Sequence, residues 1–117
     1  MTPIVFILPG LYNSGPQHWQ THWEQEYGFT RIHQQDWETP SYPPGTTGFQ
    51  PMPLNKLPFR AVTVASTNDE YVTVERAQQF ADAWGSKLVV IGDHGHINSA
   101  SNLGNWPEGF ALLKQLY

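Results

Sequence analysis

The chain has no cysteine. Disulfides, thiolate metal sites and a cysteine nucleophile are thereby excluded, and the composition fits a reducing, cytoplasmic setting. Charge is scarce as well: 14% of the residues are charged, against about a quarter in an average domain. Its six cationic side chains are scattered singly and the formal net charge is −4, so no basic stripe exists to neutralise phosphates or anionic lipid. Neither nucleic acid nor a membrane surface is an expected partner. Long apolar runs are also missing. The longest, residues 4–8, is too short to cross a bilayer and lacks the basic start of a signal peptide. What the chain does have is aromatic mass and loop formers. Aromatic residues make up 14%, five of them tryptophan, and ten glycines with ten prolines give about 17% of the 117 residues, against about 12% on average. This is one loop-rich domain, residues 1–117, whose apolar mass sits in a few large side chains.

Ile4-Val5-Phe6-Ile7-Leu8, ended by Pro9-Gly10, predicts a strand buried on both faces, as in parallel sheets. After a tight loop, Pro16 suits the first turn of a helix that runs to about Tyr27 and closes at Gly28, with Trp19 and Trp23 on one face. Residues 30–33 allow a short second strand. Residues 39–58 then hold six of the ten prolines and show no helical or alternating period, which marks a Pro-rich junction. Regular structure resumes at the β-branched strand Ala61-Val62-Thr63-Val64-Ala65-Ser66. Thr73 reads as the N-cap of a helix over residues 74–84 that presents Ala77, Phe80, Ala81 and Trp84 on one side and ends at Gly85. Leu88-Val89-Val90-Ile91 predicts another buried strand, which completes a right-handed βαβ unit. A last helix opens at Pro107 and Glu108, with Phe110, Leu113 and Leu116 or Tyr117 facing in. This order predicts an α/β fold of three layers around a mainly parallel sheet.

In such a sheet, function gathers in the loops beyond the carboxyl ends of the strands. Those loops carry Ser14, Asp69, and His94 or His96. An Asp and a later His at the ends of successive parallel strands have the chain order of the acid and base of an α/β-hydrolase triad. The plainer alternatives are an Asp69 that accepts backbone N–H groups in the turn before Thr73, and a histidine hydrogen-bonded within its glycine-flanked loop. Two metal readings are weaker still. His18 and His22 stand four apart, but Trp19 occupies the place of the general-base Glu in a zinc helix, and Asp93, His94 and His96, with Asp69, read more simply as a polar loop. No metal is expected, and without a phosphate-cradling Gly-rich loop no cofactor either.

Several separated segments resemble a known family. Pro9-Gly10-Leu11-Tyr12-Asn13-Ser14-Gly15-Pro16-Gln17-His18-Trp19-Gln20, then Asp36-Trp37, then Ala65-Ser66-Thr67-Asn68-Asp69-Glu70-Tyr71 with Glu75-Arg76-Ala77, then Gly95-His96-Ile97-Asn98 and Trp106-Pro107-Glu108-Gly109, look like the small α/β-hydrolase-fold serine hydrolases related to retinoblastoma-binding protein nine. The resemblance implies Asp69 as the triad acid and His96, not His94, as the general base. It also implies an oxyanion-hole N–H from the loop at Leu11 and Tyr12, site-shaping roles for Ser14, His18 and Trp19, and a small acyl ester or amide as substrate.

One departure outweighs these matches. The family's nucleophile sits on an elbow of the Gly-x-Ser-x-Gly type, and this sequence contains none. The elbow belongs between Asp36-Trp37 and the Ala61 strand, where only the Pro-rich stretch lies, so the family pattern jumps near residues 40–46. Two strand-helix units, roughly 60 to 70 residues at about thirty each, are absent from the middle. Ser14, Ser41 and Ser66 are the only serines before Asp69, and Ser14 alone is a remote substitute. The expectation is a serine hydrolase family member, of esterase type, truncated inside and inactive. Removing two strands leaves a gap of about 14 Å, so the flanking strands either re-pair or keep unmet backbone groups, an open edge that invites self-association. The alternative is a non-catalytic interaction module that uses that edge and the aromatic loops.

Overall fold

The structure is a computed structural model that describes residues 3–9, 14–33 and 53–117. In chain order the elements are β1 (Phe6–Ile7), α1 (Trp19–Tyr27), β2 (Thr30–Arg31), β3 (Val62–Ala65), α2 (Val74–Trp84), β4 (Lys87–Val90) and α3 (Pro107–Lys114), with a 3-10 turn at Ser99–Ser101. Each helix between two strands returns the chain to the start of the sheet, so both pairs are parallel. Phe6 lies opposite Thr30 and Ile7 opposite Arg31, while β3 runs beside β4 from Val62 opposite Lys87 to Ala65 opposite Val90.

Local chemistry sets the helix ends. His18 caps α1, its imidazole Nδ1 accepting from the Gln20 N–H at 3.1 Å, and Gly28 closes the helix at φ 67°. The expected start at Pro16 moves to Trp19, because Pro16 lies in the turn that leads to this cap. Thr73 caps α2 as expected, with Glu75 at the positive end of the helix dipole and Gly85 at φ 69° ending it. Pro107 takes the first position of α3.

The expected α/β fold with parallel strands is present, but the expectation of one sheet is corrected: among the described residues the strands form two separate two-stranded sheets. Side chains occupy the space between the pairs. Ile7 of β1, Trp23 of α1 and Trp106 are the buried centre of one cluster, against which Val64 of β3, Trp19, Ile97 and Phe110 pack. Such bulk keeps β1 and β3 farther apart than the roughly 4.8 Å that a ladder requires. The second correction concerns the first strand. Ile7 is 5% exposed, but Ile4, Phe6 and Leu8 are 80%, 59% and 66% exposed, so the run is covered on one face only. Val90 of β4 is likewise exposed rather than buried. A continuous apolar run signals two covered faces only when a helical layer lies on each.

The β3 ladder fixes which backbone groups are spent. The Ala61 and Ala65 carbonyls accept from the Lys87 and Ile91 N–H groups of the β4 side. Backbone direction alternates along a strand, so the N–H and C=O of Val62 and Val64 point to the opposite edge, where no described residue meets them. The same holds for Phe6, since Val5 and Ile7 carry the carbonyls that β2 uses.

Candidate active site

The site lies at the carboxyl end of β3 and β4. Residues 66–72 leave β3 in a loop whose polar side chains bond back to it. The Asp69 Oδ1 accepts from the backbone N–H of Tyr71 at 2.9 Å, which fixes the carboxylate before α2 begins. Its two oxygens also take the His96 Nδ1, at 2.9 Å and 3.0 Å. The turn-forming and histidine-orienting readings of Asp69 are thus one arrangement. The sequence had left His94 and His96 open on spacing alone; the contact falls to His96.

Because a carboxylate only accepts, Nδ1 carries a proton, and in the neutral ring Nε2 keeps the lone pair. No hydrogen bond to that nitrogen is made among the described residues. The His96 side chain is 46% exposed and that of Asp69 10%. Burial pushes the Asp69 carboxyl up, but the hydrogen bonds from His96 and from the Tyr71 and Val72 N–H groups outweigh it and hold the group below the ordinary carboxylate range. Tyr71 closes one side, its ring centroid 4.7 Å from that of His96.

A second set of polar residues, which the motif reading passed over, positions the histidine loop. Ser66 is 1% exposed, donates to the Asn68 Oδ1 and accepts from the His94 N–H. The Asn68 Oδ1 also accepts from the Gly95 N–H at 2.7 Å, and Thr67 donates to Asp93. Asn98 and Ser101 cap each other reciprocally, and Ser101 reaches back to the His94 carbonyl. The signal was present in the run Ser66-Thr67-Asn68-Asp69 facing Gly92 to Asn98: small polar side chains that satisfy turn backbones. Ser66 is therefore committed to scaffolding and unavailable as a nucleophile.

Helix α1 approaches from the other side. The Trp19 indole N–H donates to the Ile97 carbonyl at 3.0 Å, next to His96, and the Trp23 indole donates to the Asn105 carbonyl at 2.6 Å. Desolvation, Arg31 and His96 push the His18 imidazole down to about 4, so it is neutral near pH 7, with Nδ1 accepting and the proton on Nε2. Ser14 is buried at φ 50°, its carbonyl taken by Thr21, and it makes no hydrogen bond to His96. Leu11 and Tyr12, the expected oxyanion loop, lie outside the described residues, as do Asp36, Trp37, Ser41 and the jump at residues 40–46.

Between these parts runs a groove of about 450 Å³, lined by Asp69 and His96 together with β3, Trp19, Phe80 and Trp106. Its walls are largely apolar. No three His, Asp or Glu residues gather to hold a metal ion among the described residues. His22 sits apart, on a different depression, with Gln17 and Ser99.

A dyad of this kind at the ends of parallel strands is shared by many hydrolases, and the sequence comparison decides the family. The profile described as serine hydrolase matches residues 5–44 and 41–115. This chain belongs to that family. The match comes in two pieces that meet at residues 41–44, inside the Pro-rich stretch. The chain is also similar to the crystal structure of a protein named as a YdeN-like hydrolase from Pectobacterium atrosepticum. The TM-score is 0.80 at 26% identity, over 97% of this chain and 90% of that one. No curated protein matches. In this chain the shared fold consists of parallel strands with interleaved helices. Among the described residues, no helix of this family member is long and apolar enough to cross a membrane.

Proposed function

We propose that this chain is a shortened serine hydrolase that keeps the acid, the base and an acyl-binding groove but does not run the serine route. Asp69 orients His96, and His96 is the general base of the parent reaction, the hydrolysis of small acyl esters or amides. The carrying observation is the His96 Nε2, which lacks a hydroxyl partner among the described residues of a chain with no Gly-x-Ser-x-Gly. Support for an internal loss comes from the two-piece family match meeting in the Pro-rich stretch. Loss of the nucleophile removes nearly all catalysis beyond binding and oxyanion effects. A cytoplasmic location, in keeping with the absence of cysteine, belongs to the same proposal.

A fluorophosphonate probe tests this directly. No serine adduct is expected by mass spectrometry; covalent labelling of any serine sinks the proposal. Sequencing the coding locus for an intervening elbow segment tests the internal loss.

A second reading is favoured by the backbone groups of Phe6, Val62 and Val64 that no described residue meets, and by the exposed side chains of Ile4, Phe6 and Leu8. Edges of this kind pair with other strands, so self-association is expected. A monomer by light scattering that binds no apolar dye removes it.

A further inference from the structure

We infer that the Asp69–His96 pair is a nucleophile in its own right, accepting acyl groups at His96 Nε2 from activated acyl donors. Three observations carry the inference. Asp69 holds Nδ1 with both carboxylate oxygens, which fixes the tautomer that leaves the Nε2 lone pair available. Among the described residues that nitrogen has no hydrogen-bond partner, and the side chain is 46% exposed and lines the groove. The groove walls include Val62, Val64, Val72, Phe80 and Trp106, an apolar lining for a short acyl chain. In a complete triad the base spends its lone pair on the serine proton; without a nucleophilic serine the same lone pair faces the acyl carbon.

The step balances without a cofactor. The Nε2 lone pair attacks the carbonyl carbon and forms a C–N bond, while the carbonyl π electrons move to oxygen. Collapse of that adduct breaks the bond to the leaving group, which departs with its electron pair. The resulting acyl-imidazolium faces the Asp69 carboxylate, which stabilises the charge through the Nδ1 proton. Water then adds to the acyl carbon, the C–N bond breaks, one proton goes to solvent, and free imidazole returns. The net change is hydrolysis of one acyl bond. The substrate class follows from the collapse step: the leaving group must be about as weakly basic as imidazole. Nitrophenyl esters and acyl phosphates qualify; alkyl esters and amides expel the imidazole instead.

Since this activity rests on the groove being the acyl site, its test is built to fail separately. The protein is treated with fluorophosphonate and given p-nitrophenyl acetate and butyrate. Nitrophenolate release is expected to persist after treatment and to exceed that of an equal concentration of free imidazole. His96→Asn should lose it, Asp69→Asn should lower it because the tautomer is no longer held, and His22→Asn should not change it. Rapid acid quenching should trap an acyl adduct on the peptide containing His96. Circular dichroism checks that each variant is folded. If treated protein is no faster than His96→Asn, or His96-dependent turnover leaves no His96 adduct, the inference is overturned while the serine-free reading stands. If fluorophosphonate abolishes the rate and labels a serine, the serine-free reading falls, and this inference with it.

Discussion

The Trp19 indole donates to the Ile97 carbonyl across 78 residues of sequence, at 3.0 Å. One residue of α1 thereby holds the backbone beside His96. The Trp19 ring also lies edge-on to Trp106, with centroids 4.9 Å apart, so position and packing come from the same side chain.

Trp19→Phe keeps the ring and removes the donor. The half-buried Ile97 carbonyl is left without its partner, at a cost of about 1–2 kcal/mol. Urea denaturation should show a lower midpoint at unchanged slope, and the His96 ring resonances should broaden as its loop loosens.

Gly109 stands where a Cβ would lie 2.2 Å from Cδ2 and Cε3 of Trp106. Gly109→Ala must therefore displace an indole at the centre of the core, at a cost of about 3 kcal/mol. Gly104→Ala, at φ 58° with open space around it, should cost only about 1 kcal/mol of backbone strain. Comparison of the two melting temperatures separates packing from conformation; equal losses contradict the packing account.

His18 gives a pH dependence with a defined sign. Its native pKa of about 4 lies below the 6.5 of a free imidazole, so the unfolded chain binds the proton first. Stability is full above about pH 6.5, falls as pH drops toward 4, and loses nothing further from this group below that. For a half-exposed ring the loss, after solvent screening, is about 1 kcal/mol. His18→Asn retains a capping acceptor and should flatten that window. Asp69, lowered in the native state, withdraws its contribution only at more acidic pH, as pH falls through its own lowered value.

Phe6 is 59% exposed on the open edge of β1. Phe6→Lys should reduce association in sedimentation experiments and leave the unfolding free energy within about 0.5 kcal/mol of the parent. Unchanged association rules out this edge as the contact.

Sequence pattern carried the local features well, because caps, turns and β-branched runs are decided within a few residues. Thr73, Gly85, Gly28 and Pro107 all stand at the helix ends assigned to them. The failures are tertiary. Whether Ile4, Phe6 and Leu8 were covered depended on a layer elsewhere in the chain, and whether β1 and β3 joined depended on the size of three indoles. At the site, the order of Asp and His was visible in the spacing and the family resemblance pointed to His96 rather than His94, but the Ser66, Asn68 and Ser101 scaffold that holds its loop was not visible. Those residues speak through backbone geometry, which spacing does not display.

No backbone-to-backbone hydrogen bond joins the described residues of the first half, 3–33, to those of the second, 53–117. The indole donors of Trp19 and Trp23 and the stacked rings around them span that boundary. A seam held by side chains alone is expected to part before the backbone ladders on either side of it. Since the seam is lined by three of the five tryptophans, intrinsic fluorescence should register its opening at lower denaturant than the far-ultraviolet signal of the helices.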